Sequence, residues 1–352
     1  MSLTELYIED LAYGGAGVGR REGVVYFVPG ALPGERVEVE VIRRQKRFCE
    51  ARVINLLVSS ESRISPRCPI FGRCGGCAYQ HLDYAEQLVW KRKQVRDLYR
   101  RIGEISEPPV FPVAPSPENW GSRNRIRVRV REGRVGLLER GGRRLVEVKE
   151  CAIASDAVNS ELSRLRARPG VDREVTLSER PEIRYFEQTN DGAGEVLCRI
   201  LEEHWPENVS FLVDAYAGAG FFGRRLAPRV ERVIGIELHS AAVRAARERA
   251  GEAEQYLEGS VEDLLGGALS QGRMSDTAVL LDPPASGVVK TVLGTLKTYL
   301  PRVIIYVSCD AATQARDVRT LVGAGYELQW VRPVDMFPQT ADIEVVALLN
   351  RQ

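Results

Sequence analysis

Three stretches of this chain place reactive side chains where chemistry is possible. Cys309 follows the apolar run 304–307 and precedes a helix expected from Ala312. A thiol at a helix N-terminus gains thiolate character from the unpaired N–H groups, with the adjacent Asp310 pulling the other way. Such a thiolate can add to an electron-poor carbon. Asp282-Pro283-Pro284 closes a second apolar run, 277–281. Its first proline biases Asp282 away from helix and stiffens the segment, which makes a rim against which a base can be held. Gly218-Ala219-Gly220-Phe221-Phe222-Gly223 satisfies G-x-G-x-x-G after the run 209–216, and Glu237 ends the next strand. Glycines let backbone approach a nucleoside, and an acid takes the ribose diol. That pairing suits a nicotinamide cofactor or S-adenosylmethionine equally. The Asp-Pro-Pro rim tilts the choice towards a methyltransferase.

A separate constellation consists of thiols. Cys68, Cys74 and Cys77, with the remote Cys151, give C-x5-C-x2-C plus one, with a tight turn at Gly75-Gly76. Four thiolates suit an iron–sulfur cluster or a structural zinc, in a closed and non-catalytic site. The chain has seven cysteines and three histidines. The odd cysteine count argues against a disulfide framework, and the scarcity of histidine against a mixed Cys/His site.

Reactive groups at the carboxyl ends of successive apolar strands require a parallel sheet to hold them. From about residue 209 strands and helices alternate, the pattern of a doubly wound α/β fold, in which ligands bind at that edge. Residues 1–60 read instead as short strands separated by glycine turns, a small barrel of the OB type. A cysteine-rich insert, a helix over 83–102 and a proline-rich connector follow. The expected domains are therefore 1–60, 61–185 and 186–352. With 352 residues the chain is long enough for each to bury a core. Lys and Arg number 49 against 48 Asp and Glu, so overall charge does not select a partner. Local runs do: 43–47, 91–101, and the alternating Arg123, Arg125, Arg127, Arg129 and Arg131, which strand periodicity puts on one face able to track phosphates. No apolar run approaches the ~18 residues of a membrane span. The start lacks signal-peptide features, so a cytoplasmic monomer without membrane contact is expected.

Taken in order, these motifs resemble the RNA uracil-5-methyltransferase family along nearly the whole chain. The segments 14–20 and 28–35 are similar to a TRAM domain. Cys68-Pro69, Cys74-Gly75-Gly76-Cys77, Gln80-His81-Leu82 and Cys151 resemble the family's 4Fe-4S site, with structural zinc as the alternative. Phe186-Glu187-Gln188-Thr189-Asn190 matches F-x-Q-x-N, whose glutamine lies at the cofactor. The resemblance places Tyr216 and Glu237, beside Gly218 and Gly220, at S-adenosylmethionine, and Asp282 on the acid of D-P-P. It makes Cys309 the nucleophile and Glu344, in 343–349, the general base. Departures are Ala285 for the arginine usual after D-P-P, Asp342 for a histidine two before the base, Phe221 for a polar cofactor contact, and Ala311 for a proline.

The resemblance implies a class I, Rossmann-like enzyme that methylates carbon 5 of a uridine in structured RNA, 23S ribosomal RNA ahead of transfer RNA. Addition of Cys309 to carbon 6 activates the ring, and Glu344 removes the carbon 5 proton. Two rival readings are an amine N-methyltransferase, which needs no thiol, and an RNA-binding protein with a degenerate methyltransferase domain.

Overall fold

The computed structural model describes residues 3–183 and 185–352. The chain divides into two compact units, one built from residues up to 94, 118–179 and 337–342, the other from 95–117, 180–336 and 343–352.

The first unit opens with a closed barrel of β1 (Thr4–Leu11), β2 (Ala16–Arg21), β3 (Val24–Pro29), β4 (Arg36–Arg44) and β5 (Phe48–Val58), in the order β1-β2-β3-β5-β4. Alternation along the strands sends Leu6, Ile8, Tyr26, Val28, Val37, Val39 and Ala51 inside. Each Leu, Ile or Val among them contributes roughly 1.5–3 kcal/mol by leaving water. In α1 (Tyr84–Arg101) the fully buried Gln87 and Lys91 reach the 337–342 stretch. Gln87 Nε2 donates to Gln339 Oε1 at 3.0 Å and Lys91 Nζ to the Phe337 carbonyl at 3.1 Å, which ties that distant segment into this unit.

The same unit holds β6 (Arg125–Arg131), β7 (Arg134–Leu138), β8 (Leu145–Glu147), α2 (Asp156–Ala167) and β9 (Arg173–Ser178). The strands form an antiparallel sheet in the order β8-β7-β6-β9. Ile126, Val128 and Val130 face a core shared with Val158 and Leu162 of α2, and the arginines between them point the other way. Arg123 lies outside this row. It precedes β6, makes a single bridge to Ala154, and stacks its guanidinium over Phe337 at 5.6 Å.

In the second unit, α3 (Asp191–Glu203), β10 (Phe211–Ala215), α4 (Phe221–Leu226), β11 (Arg232–Glu237), α5 (Ser240–Glu248), β12 (Glu254–Glu258), α6 (Val261–Leu269), β13 (Thr277–Leu281), α7 (Lys290–Tyr299), β14 (Val303–Ser308) and α8 (Ala311–Val322) alternate as expected. The antiparallel β15 (Tyr326–Val334) and β16 (Glu344–Arg351) complete a seven-stranded sheet, β12-β11-β10-β13-β14-β16-β15. Every residue of β10, β13 and β14 is buried, as a parallel sheet covered on both faces demands. The doubly wound, mostly parallel fold read from the sequence is the fold observed.

Candidate active site

The sheet register sets the site. In β14 and β16 the last paired residues at this edge are Ser308 and Val345, so Cys309 and Glu344 follow on neighbouring strands. Asp282 continues β13 beyond Leu281, which pairs with Tyr306 of β14. All three side chains belong to one sheet edge. Gln314 of α8 holds β14 and β16 together beneath them. Its amide donates to the Tyr306 carbonyl at 2.8 Å and the Val345 carbonyl at 2.9 Å, and its oxygen accepts from Tyr99 Oη at 2.8 Å.

The 282–288 segment is clamped to α8. Thr313 Oγ1 donates to the Ala285 carbonyl at 3.1 Å, and Arg316 Nη2 to the Ser286 carbonyl at 3.0 Å. Asp317 accepts from the Val288 N–H and from Tyr306 Oη, both at 2.8 Å. Where the family pattern has arginine, Ala285 thus offers only its backbone to this clamp.

Electrostatically the edge disfavours anions. Burial lifts the Asp282 carboxyl to about 7. Glu344, only 4% exposed, is pushed well above the ordinary range by burial and then by Asp282. Two carboxyls so placed resist ionising together. Cys309 opens to solvent, yet the surrounding protein, Glu344 and Asp282 push its thiol up to about 11. This corrects the expected gain of thiolate character at the helix N-terminus. The helix begins at Ala311, and Asp310 is its cap, accepting from the Thr313 N–H at 2.8 Å. A carboxylate therefore already occupies the positive end of the helix, and it opposes the thiolate.

Beside this edge lies a cavity of about 490 Å³ whose wall includes Gln188, Tyr216, Gly218, Phe221 and Asp282. Gly218 has φ 55°, and a Cβ there would meet nothing within 4 Å, so its backbone is open to a ligand. Gly220 and Glu237 do not line the cavity; they shape it. Gly220 has φ 78°, and a Cβ would fall 2.4 Å from Tyr256 Oη. Glu237 accepts from the Gly218 N–H at 3.0 Å and the His239 N–H at 2.6 Å, fixing the glycine turn. Tyr216 has φ 66°, a left-handed conformation that costs about 1–3 kcal/mol and persists only where its surroundings impose it. Asn190 of the F-x-Q-x-N stretch caps α3, accepting from the Ala193 N–H at 3.0 Å, and so holds Gln188 at the pocket. The dimensions and open backbone fit a nucleoside-bearing methyl donor.

Sequence reasoning missed Asp214. Fully buried in β10, it accepts from the Gly223 N–H at 2.9 Å; burial, then Asp282 and Glu237, lift it to about 8. One acid inside a run of five buried residues was the available signal. Gln314 and Arg180, which also lines the cavity, were missed too.

Cys68, Cys74, Cys77 and Cys151 line one further cavity of about 220 Å³ in the first unit, with Ile126, Leu137 and Val148. The thiols feel one another: Cys77 is raised to about 12, first by burial and then in part by Cys151 and Cys74. As a donor set this fits a thiolate-held group. Among the described residues, however, no three His, Cys, Asp or Glu side chains meet in a metal-holding group.

The comparisons with known proteins agree with this arrangement. The TRAM domain family matches residues 4–54. An uncharacterized RNA methyltransferase of Bdellovibrio bacteriovorus is 34% identical over 99% of this chain and 95% of its own length. One from Halalkalibacterium halodurans is 31% identical over 99% and 97%. The crystal structure of the Pyrococcus abyssi tRNA (uracil-54, C5)-methyltransferase with S-adenosyl-L-homocysteine superposes with TM-score 0.74 at 23% identity, covering 98% of this chain and 100% of that one. It shares the class I methyltransferase fold. With two full-length relatives above 30% identity, both RNA methyltransferases, and a TRAM domain at its start, the chain belongs to the RNA methyltransferase family of those relatives.

Proposed function

We propose that this protein methylates carbon 5 of a uridine in structured RNA. The observation that supports this most is the meeting of Cys309, Glu344 and Asp282 at one sheet edge, next to a nucleoside-sized cavity. An amine N-methyltransferase has no use for that thiol. When bound in the cavity beside Gly218 and Asp282, S-adenosylmethionine supplies an electrophilic methyl group.

In this reading Cys309, once deprotonated, forms a bond from its sulfur to carbon 6 of the flipped-out uracil. The C5–C6 π electrons move onto the ring's carbonyl system, making carbon 5 nucleophilic. Carbon 5 takes the methyl group, the donor's sulfur keeping the electron pair of the broken S–C bond and leaving as a neutral thioether, and Glu344 as carboxylate accepts the proton left there. The freed electron pair restores the C5–C6 double bond and expels the Cys309 sulfur. Burial of Glu344 serves this step, because a carboxylate with a raised pKa is a stronger base towards carbon. Residues 1–60 and 61–185 act in RNA binding and 186–352 in the chemistry. Unstacking the base costs on the order of a few kcal/mol, which binding of the surrounding RNA offsets. By donor set, Cys68, Cys74, Cys77 and Cys151 would hold a 4Fe-4S cluster in a structural role.

Incubation with 5-fluorouridine RNA and S-adenosylmethionine tests the proposal. Fluorine at carbon 5 cannot leave as a proton, so a covalent adduct that requires both Cys309 and the methyl donor is expected. Methyl transfer to RNA without an adduct would point to an amine target. Binding with neither would leave an RNA-binding protein. Comparing 5-methyluridine in 23S ribosomal and transfer RNA from cells with and without the gene identifies the substrate.

A further inference from the structure

An open groove of about 500 Å³ crosses the first unit on the outward face of β6, lined by Arg127, Arg129, Arg140, Gly75, Gly76 and Glu174, among others. Three guanidiniums with backbone between them make a surface for a chain of phosphates rather than for a single compact anion. Its shape is fixed by the cysteine loop. Cys74 bridges Glu139, the Gly75 N–H donates to the Leu138 carbonyl at 2.9 Å, the Arg140 N–H donates to the Arg73 carbonyl at 3.2 Å, and the Arg140 guanidinium donates to the Cys77 carbonyl. Gly76, Arg127 and Leu137 line both this groove and the cysteine cavity, so the two lie back to back. A second basic hollow, holding Arg73 and Arg144, shares Glu139 and Arg140 with the groove and extends it.

Of the two carboxylates among these cations, Glu139 and Glu174, the second is paired directly with the arginine row. Glu174 of β9 is the register partner of Arg129, and it makes ion pairs with both Arg129 (2.9 Å) and Arg127 (3.5 Å). Arg127 nevertheless keeps 71% of its side chain exposed. A single glutamate bridging two guanidiniums leaves one positive charge in excess. It also draws both guanidiniums to one carboxylate on the outward face of the sheet.

We propose that this groove is an RNA phosphate-binding site, separate from the uridine pocket, in which Arg127, Arg129 and Arg140 contact the backbone and Glu174 is the internal competitor that the phosphate displaces. The inference rests on the reading that the substrate is RNA. Guanidiniums in excess over the carboxylates Glu139 and Glu174 position the polymer through its phosphates.

The test measures equilibrium binding of an in vitro transcribed 23S ribosomal RNA domain by wild type, Arg127→Gln/Arg129→Gln and Glu174→Gln, from low to moderate salt, with circular dichroism as the check on folding. The double variant should bind about 10-fold more weakly or worse, with its log–log salt slope reduced by roughly 1.5, the counterions of two lost phosphate contacts. Glu174→Gln should bind more tightly, by several-fold, because a competing negative charge is gone. Wild-type binding with unchanged affinity and slope in the double variant would overturn the groove assignment and leave the RNA reading standing. Weaker binding by Glu174→Gln would overturn the competitor role, since a purely structural ion pair should loosen the arginines. No RNA binding by wild type would defeat the RNA reading itself, and the groove with it.

Discussion

Cys309 and Glu344 leave neighbouring antiparallel strands one residue beyond the same rung, Ser308 opposite Val345. The roles proposed for Cys309 and Glu344, acting on adjacent ring carbons, need a fixed spacing, and main-chain hydrogen bonds between their strands supply one. Gln314 locks the rung from below by binding the carbonyls of Tyr306 and Val345.

Replacing Gln314 by Leu should therefore cost more than its packing. Two buried carbonyls and Tyr99 Oη lose a partner, which predicts a loss of about 1–3 kcal/mol in denaturant unfolding. Methyl transfer should fall while affinity for the methyl donor, bound further along the edge, holds. Loss of donor affinity without loss of turnover in the bound enzyme would refute the spacing role.

The thiol pushed up to about 11 predicts slow chemistry in the resting protein. Alkylation of Cys309 by iodoacetamide, followed by mass spectrometry, should be slow at pH 8 and climb steadily into alkaline solution. Glu344→Gln removes a negative neighbour and should shift that profile to lower pH. An alkylation midpoint near neutrality in the wild type would contradict the electrostatic description.

Asp214 gives a stability prediction whose sign follows from linkage. Its folded pKa, about 8, lies above the ordinary 3.8, so the folded state binds the extra proton between those values. Its contribution is fully present below about pH 4 and is lost as pH rises through about 8. Asp214→Asn should remove that loss, on the order of a few kcal/mol, so wild type and variant should converge in acid and separate towards pH 8. Parallel stability curves would show that Asp214 ionises normally.

For the cysteine cavity, anaerobically purified protein should be brown, with iron and sulfide at about four each per chain. Stoichiometric zinc in a colourless sample would support the structural-zinc alternative, and Cys77→Ser should deplete whichever is bound.

The fold class was legible because a parallel sheet buried on both faces writes itself as apolar runs ending in Asp282-Pro283 and Ser308-Cys309. Gly218 and Glu237 could be paired from sequence because one lies in the turn after β10 and the other ends β11, although their mutual hydrogen bond could not. What escaped depends on contacts distant in the chain. Asp310 read as a neighbour of the thiol, while its cap on α8, which takes up the helix N-terminus, emerges only in three dimensions. The arginine row was visible as alternation, but Glu174, 45 residues beyond Arg129 and opposite it in the sheet, was not. Arg123 shares the alternation yet leaves the row for Phe337, a partner that no local pattern marks.

The most direct measurement of the proposed chemistry uses Glu344→Gln with natural, unfluorinated RNA and S-adenosylmethionine. Glutamine keeps the shape of glutamate and cannot take the carbon 5 proton, so addition and methyl transfer should proceed while elimination stalls. A covalent protein–RNA band should accumulate on a denaturing gel and vanish when Cys309 is also changed to Ala, and turnover should fall by roughly 10²–10⁴. Turnover at the wild-type rate with no trapped species would contradict the assignment of Glu344 as the base.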